Sequence, residues 1–248
     1  MIAAEVTPLP VAIPWDVPPP EVRLAADETH LWRARLDVPE AVLHGAWRVL
    51  SDDERVLACR FRFDHDRRRY IAAHGILRMI LGRYACSDPR NLRFHAGRYG
   101  KPGLKDTPVR FNISHSGDMM LCAVAHGREV GVDVERVRME FEFEGTARRI
   151  FSLRELAVWS ALPEAEKPMA FFRSWVRKEA QVKARGGGLT LPVTEWEELL
   201  LPERYCDGRW SLQPLDPAPG YVGALVVECQ DLPLIRAFGS SDLTISCK

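Results

Sequence analysis

An α/β chain of the α+β kind, with helices packed on small, mostly antiparallel sheets, is what this sequence predicts, and three observations predict it. Strand-like stretches occur in both halves, among them HLWRARLD at 30–37, GVDVERV at 131–137 and GYVGALVVEC at 220–229. Helix-like stretches accompany them: FRSWVRKEAQVKARGGGL at 172–189 carries Phe172, Trp175, Val176 and Ala180 at helical spacing and runs into Gly186, Gly187 and Gly188, a glycine stop. Ser51 followed by Glu54 forms a capping box, which marks a helix start.

In chain order, residues 1–22 are rich in proline, which excludes a helix or central strand and predicts an extended arm over the body. HLWRARLD follows as a first strand, the capping box opens a helix, and 66–84 reads as a long helix. LRFHAGRYGKP and MLCAVAH are strand-like, and so is GVDVERV. Helices are expected over 146–161 and 165–186, before the closing strand GYVGALVVEC. Both halves of the chain after the arm at 1–22 thus combine helices with strands.

At 248 residues and 46% hydrophobic composition the chain can bury a sizeable core. The densest basic cluster is Arg60, Arg62, Arg67, Arg68 and Arg69, yet Asp64 and Asp66 are interleaved and the 34 basic residues are balanced by 34 acidic ones. A nucleic-acid-binding chain would carry a net positive domain, so nucleic acid is not expected as a partner. No apolar run approaches the ~18–20 residues that span a bilayer, and the N-terminus lacks a signal-peptide pattern, so no membrane role is expected and the cytoplasm is the default. The six cysteines are scattered without C-x-x-C spacing and read as reduced thiols.

Within GVDVERV, Asp133 and Glu135 are two residues apart, so a strand places both carboxylates on one face. Glu179 lies inside the later helix, and Lys183, four residues on, shares its face. Mg²⁺ is a hard ion that takes one or two carboxylates and lets substrate phosphates complete its octahedron, and Asp133, Glu135 and Glu179 suit it. An ammonium such as Lys183 can meet a phosphate oxygen that gains charge during transfer. Taken singly each pattern also has an ordinary reading: Asp-x-Glu recurs by chance, and Glu179 with Lys183 has the orientation of a surface i,i+4 pair.

The motifs occur together, however. GKP at 100–102, FNISHSGD at 111–118, GVDVERV, and W-x-x-KEA-x-x-K before a glycine-rich turn stand in an order and spacing that resemble the 4′-phosphopantetheinyl transferases of the Sfp type. The similarity extends upstream over 51–78 and downstream to GLTLP at 188–192 and PGYVGA at 219–224, most of the chain. What the resemblance implies is a fold of two similar subdomains related by a pseudo-twofold axis, with coenzyme A in the cleft between a first, cofactor-binding half at 23–130 and a second, metal-binding half at 131–248. The reaction implied is Mg²⁺-dependent transfer of the phosphopantetheine arm of coenzyme A to a serine of an acyl or peptidyl carrier protein, releasing adenosine 3′,5′-bisphosphate.

By the same resemblance Asp133, Glu135 and Glu179 are metal ligands, and Asp133, Glu179 and Lys183 form the catalytic set. Arg69, Gly100, Lys101, Pro102, Ser114, His115 and Lys183 are the coenzyme A contacts. The proton acceptor stays open between Glu179, a water on the metal, and Glu155 in FSLRELAVW, because a bound cation lowers a carboxylate's basicity. Some relatives place lysines for the 3′-phosphate where this chain has Glu54 and Leu57. Phe141 and Phe143 read equally as a dock for the carrier's helix or as core. Both halves of the site lie in one chain, so a monomer is expected. The competing reading is a non-catalytic module that binds coenzyme A, a nucleotide or a carrier protein, which metal dependence would separate from an enzyme.

Overall fold

MMLCAVAH shows how the molecule is layered, because a strand with seven apolar residues in a row must be covered on both faces. In the computed structural model, which describes residues 13–97, 100–187, 193–201 and 204–239, that segment is the strand Met119–His126, buried along its length except for His126. Met120, Cys122 and Val124 point into a core shared with the first helices, while Met119, Leu121, Ala123 and Ala125 point the other way, toward a second sheet.

The described elements are β1 (Trp15–Asp16), β2 (Glu28–Arg35), α1 (Glu40–Val49), α2 (Asp52–Ala58), α3 (Asp64–Ala85), β3 (Phe94–Ala96), β4 (Pro102–Leu104), β5 (Val109–Ser116), β6 (Met119–His126) and β7 (Val130–Arg136). They continue with α4 (Phe143–Ile150), α5 (Leu153–Ser160), α6 (Lys167–Arg185), β8 (Tyr205–Cys206), β9 (Trp210–Leu215), β10 (Tyr221–Glu228) and β11 (Leu234–Gly239). One sheet has the order β1-β11-β2-β6-β5, the other β7-β10-β9-β8, and β3 and β4 form a small hairpin. The chain is thus α/β of the α+β type: α1–α3 cover the first sheet, α4–α6 cover the second, and an apolar layer of Leu31, Leu121, Val132, Leu225 and Val227 lies between the sheets. Within the second sheet the pairings are antiparallel; in the first, β11 is parallel to both β1 and β2.

The last strand therefore crosses from the region 131–248 back into the first sheet, where Ala237 pairs with Leu31. Of the proline-rich arm, residues 1–12 lie outside the described residues, and Trp15–Asp16 pair with Ala237 and Phe238 at the sheet's edge. An edge is where a proline-flanked segment can pair without breaking a ladder.

The helix expected over 146–161 is two helices. Phe151 is extended, and Ser152 starts a new helix by accepting from Glu155 N–H while Glu155 accepts from Ser152 N–H, a complete capping box. Local capping thus overrides the continuous apolar spacing. The capping box at Ser51 and Glu54 also forms, as does the glycine stop: Gly186 closes α6 in the left-handed conformation at φ 63°. Phe141 and Phe143 pack against Phe171 and Phe172, with ring centroids 5.3–5.9 Å apart, which puts both on the core side.

Candidate active site

The two sheets meet along β5 and β7, each the edge of its own sheet, and the join is made by side chains. Alternate residues of β5 face β7. Asn112 Oδ1 accepts from Val132 N–H at 2.8 Å, Ser114 Oγ donates to Asp133 Oδ1 at 2.7 Å, and Ser116 Oγ donates to Glu135 Oε2 at 2.6 Å. Ser116 also accepts from Arg136 N–H at 3.1 Å. A period-2 row of short polar residues on one edge thus meets a period-2 row of carboxylates on the other.

Helix α6 lies across β7 at Gly131. A Cβ there would stand 2.1 Å from Ala180 O and 2.3 Å from Ala184 N, so only glycine permits the approach. That approach brings Lys183 down to the strand. Its Nζ donates to Asp133 Oδ1 at 2.5 Å and to Ser114 Oγ at 2.9 Å. Asp133 is only 4% exposed, and its Oδ2 is buried without a hydrogen-bond partner.

The carboxylates feel one another. Burial pushes Asp133 above the usual carboxylate range, against the pull of Lys183 and Ser114. Burial likewise raises Glu135, with Ser116 opposing and Asp133 reinforcing, and it raises Glu179, reinforced by Asp133 and Glu135 and opposed by Lys183. Three acidic groups within electrostatic reach, one with a stranded buried oxygen, form a site short of positive charge. Among the described residues no three of them already close into a metal cage. The all-oxygen donor set and the stranded Asp133 Oδ2 nonetheless fit a hard divalent ion whose remaining positions go to water and phosphate oxygens.

Cationic groups stand beside the acidic ones. His115 is held below the usual imidazole range by burial and then by His74, Lys183 and Arg69, so these four groups share one neighbourhood. Arg69, on α3, is fixed by Asp118, with Nε at 2.9 Å and a terminal nitrogen at 2.8 Å from Oδ1. The backbone N–H of Asp118 in turn donates to the Tyr221 hydroxyl at 3.3 Å. Acids and cations gathered at one seam suit a substrate that is itself an anion bound with a cation.

The other sequence-singled residues fall elsewhere. Gly100 holds a left-handed turn at φ 83°, and Pro102 opens β4 opposite Ala96. Lys101 Nζ is engaged by Glu129 Oε2, Val130 O and Ala184 O at 2.7, 2.9 and 3.1 Å. Glu155 is fully buried. Its Oε2 accepts from Lys178 Nζ and Ser152 N–H, both at 2.9 Å, and its Oε1 from Leu199 N–H at 2.9 Å. These partners make it a structural anchor and withdraw it as a proton acceptor. Glu54 accepts from Arg78 Nε at 2.6 Å, so its carboxylate is tied into the fold. The segment GLTLP lies outside the described residues. Ser116, bound to Glu135, and Asp118, bound to Arg69, are not singled out by spacing, although the S-H-S and D-V-E alternations match.

Acidic and cationic side chains from both sheets and from α6 thus meet at one seam. Residues 129–222 match the 4′-phosphopantetheinyl transferase superfamily, and residues 38–127 match the N-terminal region of a 4′-phosphopantetheinyl transferase. The chain is 40% identical over 221 residues to the 4′-phosphopantetheinyl transferase HetI of Nostoc sp., covering 86% of this chain and 93% of that protein. It is 30% identical over 182 residues to the 4′-phosphopantetheinyl transferase Sfp of Bacillus subtilis, covering 72% and 78%. A shorter stretch of 92 residues is 41% identical to the 4′-phosphopantetheinyl transferase AcpT of Escherichia coli O157:H7, covering 37% and 47%. The chain belongs to the 4′-phosphopantetheinyl transferase family, and it is a transferase.

Proposed function

We propose that this enzyme takes the phosphopantetheine arm from coenzyme A and attaches it to a serine of an acyl or peptidyl carrier protein, with Mg²⁺, at the β5–β7–α6 seam. The observation that carries the reading is the Lys183–Ser114–Asp133 cluster, in which a lysine reaches a buried aspartate whose second oxygen has no protein partner. Asp133, Glu135 and Glu179 would hold the ion, which supplies charge neutralisation to the pyrophosphate.

The chain's own groups then have distinct tasks. Arg69, His115 and Ser114 bind and orient the anionic donor from the first half, and Lys183 does so from α6. Glu179, on α6 beside Lys183, accepts the proton from the carrier serine's hydroxyl. The serine oxygen bonds to the phosphorus that carries pantetheine, and the bond from that phosphorus to the bridging oxygen breaks. Adenosine 3′,5′-bisphosphate leaves with that oxygen, and Lys183 offsets its growing charge.

Both halves of the seam come from one chain, which supports a monomer. Among the described residues no helix is long and apolar enough to cross a membrane, and the proposed place of work is the cytoplasm, with no nucleic acid involved. The test is chromatographic release of adenosine 3′,5′-bisphosphate from coenzyme A in the presence of an apo carrier protein. Release that requires both the carrier and Mg²⁺ is expected; release without the carrier would show a hydrolase instead.

A further inference from the structure

Lys101, just before β4, reaches toward the second sheet, and its three contacts lie at the start of β7 and the end of α6. An ammonium has three N–H donors. Those of Lys101 go to Glu129 Oε2, just before β7, to Val130 O at the start of β7, and to Ala184 O in the last turn of α6. The side chain is 17% exposed, and both Val130 and Ala184 are fully buried. Carbonyls in a final helical turn lack intrahelical partners and carry the negative end of the helix dipole, so a cation there is favoured. A Cβ on the capping Gly186 would lie 3.8 Å from Lys101 Cδ, so the lysine stem runs over the helix terminus itself.

The clasp is placed next to the residues that react. Ala184 adjoins Lys183, and Val130 precedes the Gly131 contact with α6 and stands three positions before Asp133 on the same strand. A phosphate could draw the ammonium away only by stranding buried carbonyls.

We infer that Lys101 is a positioning residue: it clasps the end of α6 to the start of β7 and so sets Lys183 and Glu179 opposite Asp133, without touching the donor's phosphates. This rests on the seam being the transferase centre. It reassigns the role that the resemblance implies for Lys101.

The experiment compares wild type with Lys101→Met, Lys101→Arg and Glu129→Gln by three readings. These are calorimetric affinity for coenzyme A, kcat and KM for transfer at saturating carrier, and hydrogen exchange of the α6 amides. In Lys101→Met the affinity and KM for coenzyme A are expected to stay within twofold while kcat falls about tenfold and exchange at 181–185 speeds up. Lys101→Arg should recover part of kcat, and Glu129→Gln should move kcat the same way, less far. A tenfold or greater loss of coenzyme A affinity in Lys101→Met, with or without a change in kcat, overturns the inference. Unchanged kcat with unchanged exchange overturns it too. Should Lys101→Met fail to fold, Glu129→Gln decides: a freed ammonium that tightens coenzyme A binding marks a direct ligand and overturns the clasp. If wild type itself transfers nothing, the functional reading fails, and the exchange data still judge the clasp.

Discussion

Lys183 Nζ lies 2.5 Å from Asp133 Oδ1, while Oδ2 of the same carboxylate is buried with no hydrogen-bond partner. Adding Mg²⁺ without substrate should therefore stabilise the fold. At ten times its dissociation constant a bound ion contributes ~1.4 kcal/mol, a rise of ~3–6 °C in Tm. Asp133→Asn should abolish that rise in differential scanning calorimetry, and an equal rise in the variant would place the ion elsewhere.

Glu155 and Glu179 should separate cleanly. Glu155 and Lys178 are 0% and 2% exposed as a pair, so Glu155→Gln leaves a buried ammonium short of its charge partner and should cost about 3–5 kcal/mol in urea unfolding. Glu179→Gln removes a carboxylate that burial, Asp133 and Glu135 already disfavour, and should leave stability level or slightly raised. Its transfer rate should fall at least ~100-fold, the usual reach of a lost acid–base group. Near-normal turnover in Glu179→Gln would remove it from the mechanism.

Gly131→Ala tests the approach of helix to strand. Its Cβ would meet Ala180 O at 2.1 Å and Ala184 N at 2.3 Å, both backbone atoms that cannot swing aside. A loss of about 3 kcal/mol, with α6 shifted off β7 and transfer impaired, is expected. A variant as stable and active as wild type would show that α6 has slack at this point.

Glu54 should give the fold an acid-sensitive component. Burial opposes its ionisation, but His74, Arg78 and the Ser51 N–H outweigh burial and bring its carboxyl down to about 2. A carboxyl depressed from the ordinary ~4.3 of an unfolded chain adds stability that is complete above that value and lost as pH falls through about 2. Glu54→Gln should thus be less stable than wild type by about 2 kcal/mol at pH 7, and the gap should narrow between about pH 4 and pH 2. A gap that is constant with pH would assign the loss to packing.

Much of this site is legible in the sequence, because period and spacing carry it. Asp133 and Glu135 share a strand face by their two-residue separation, and Glu179 and Lys183 share a helix face by their four-residue one; the structure realises both elements. What spacing does not show is which groups are already engaged. Lys101 and Glu155 have the right chemistry for the site, and only the tertiary contacts reveal that backbone carbonyls, Glu129 and Lys178 hold them. The return of β11 to the first sheet is likewise hidden, since parallel pairing between residues 28–33 and 234–239 leaves no local signal. The break at Phe151 was readable from Ser152 and Glu155 and was masked by the apolar spacing on either side.

If the seam formed by Asp133, Glu179 and Lys183 transfers a phosphopantetheine arm to a carrier serine, the carrier's mass records it. Intact-mass spectrometry of an apo carrier protein, incubated with coenzyme A, Mg²⁺ and either wild type or Asp133→Ala, tests it most directly. A mass gain of one phosphopantetheine arm with wild type, lost with chelator and lost with an Asp133→Ala protein that still folds, is the predicted result. An equal mass gain from folded Asp133→Ala would move the chemistry away from this seam.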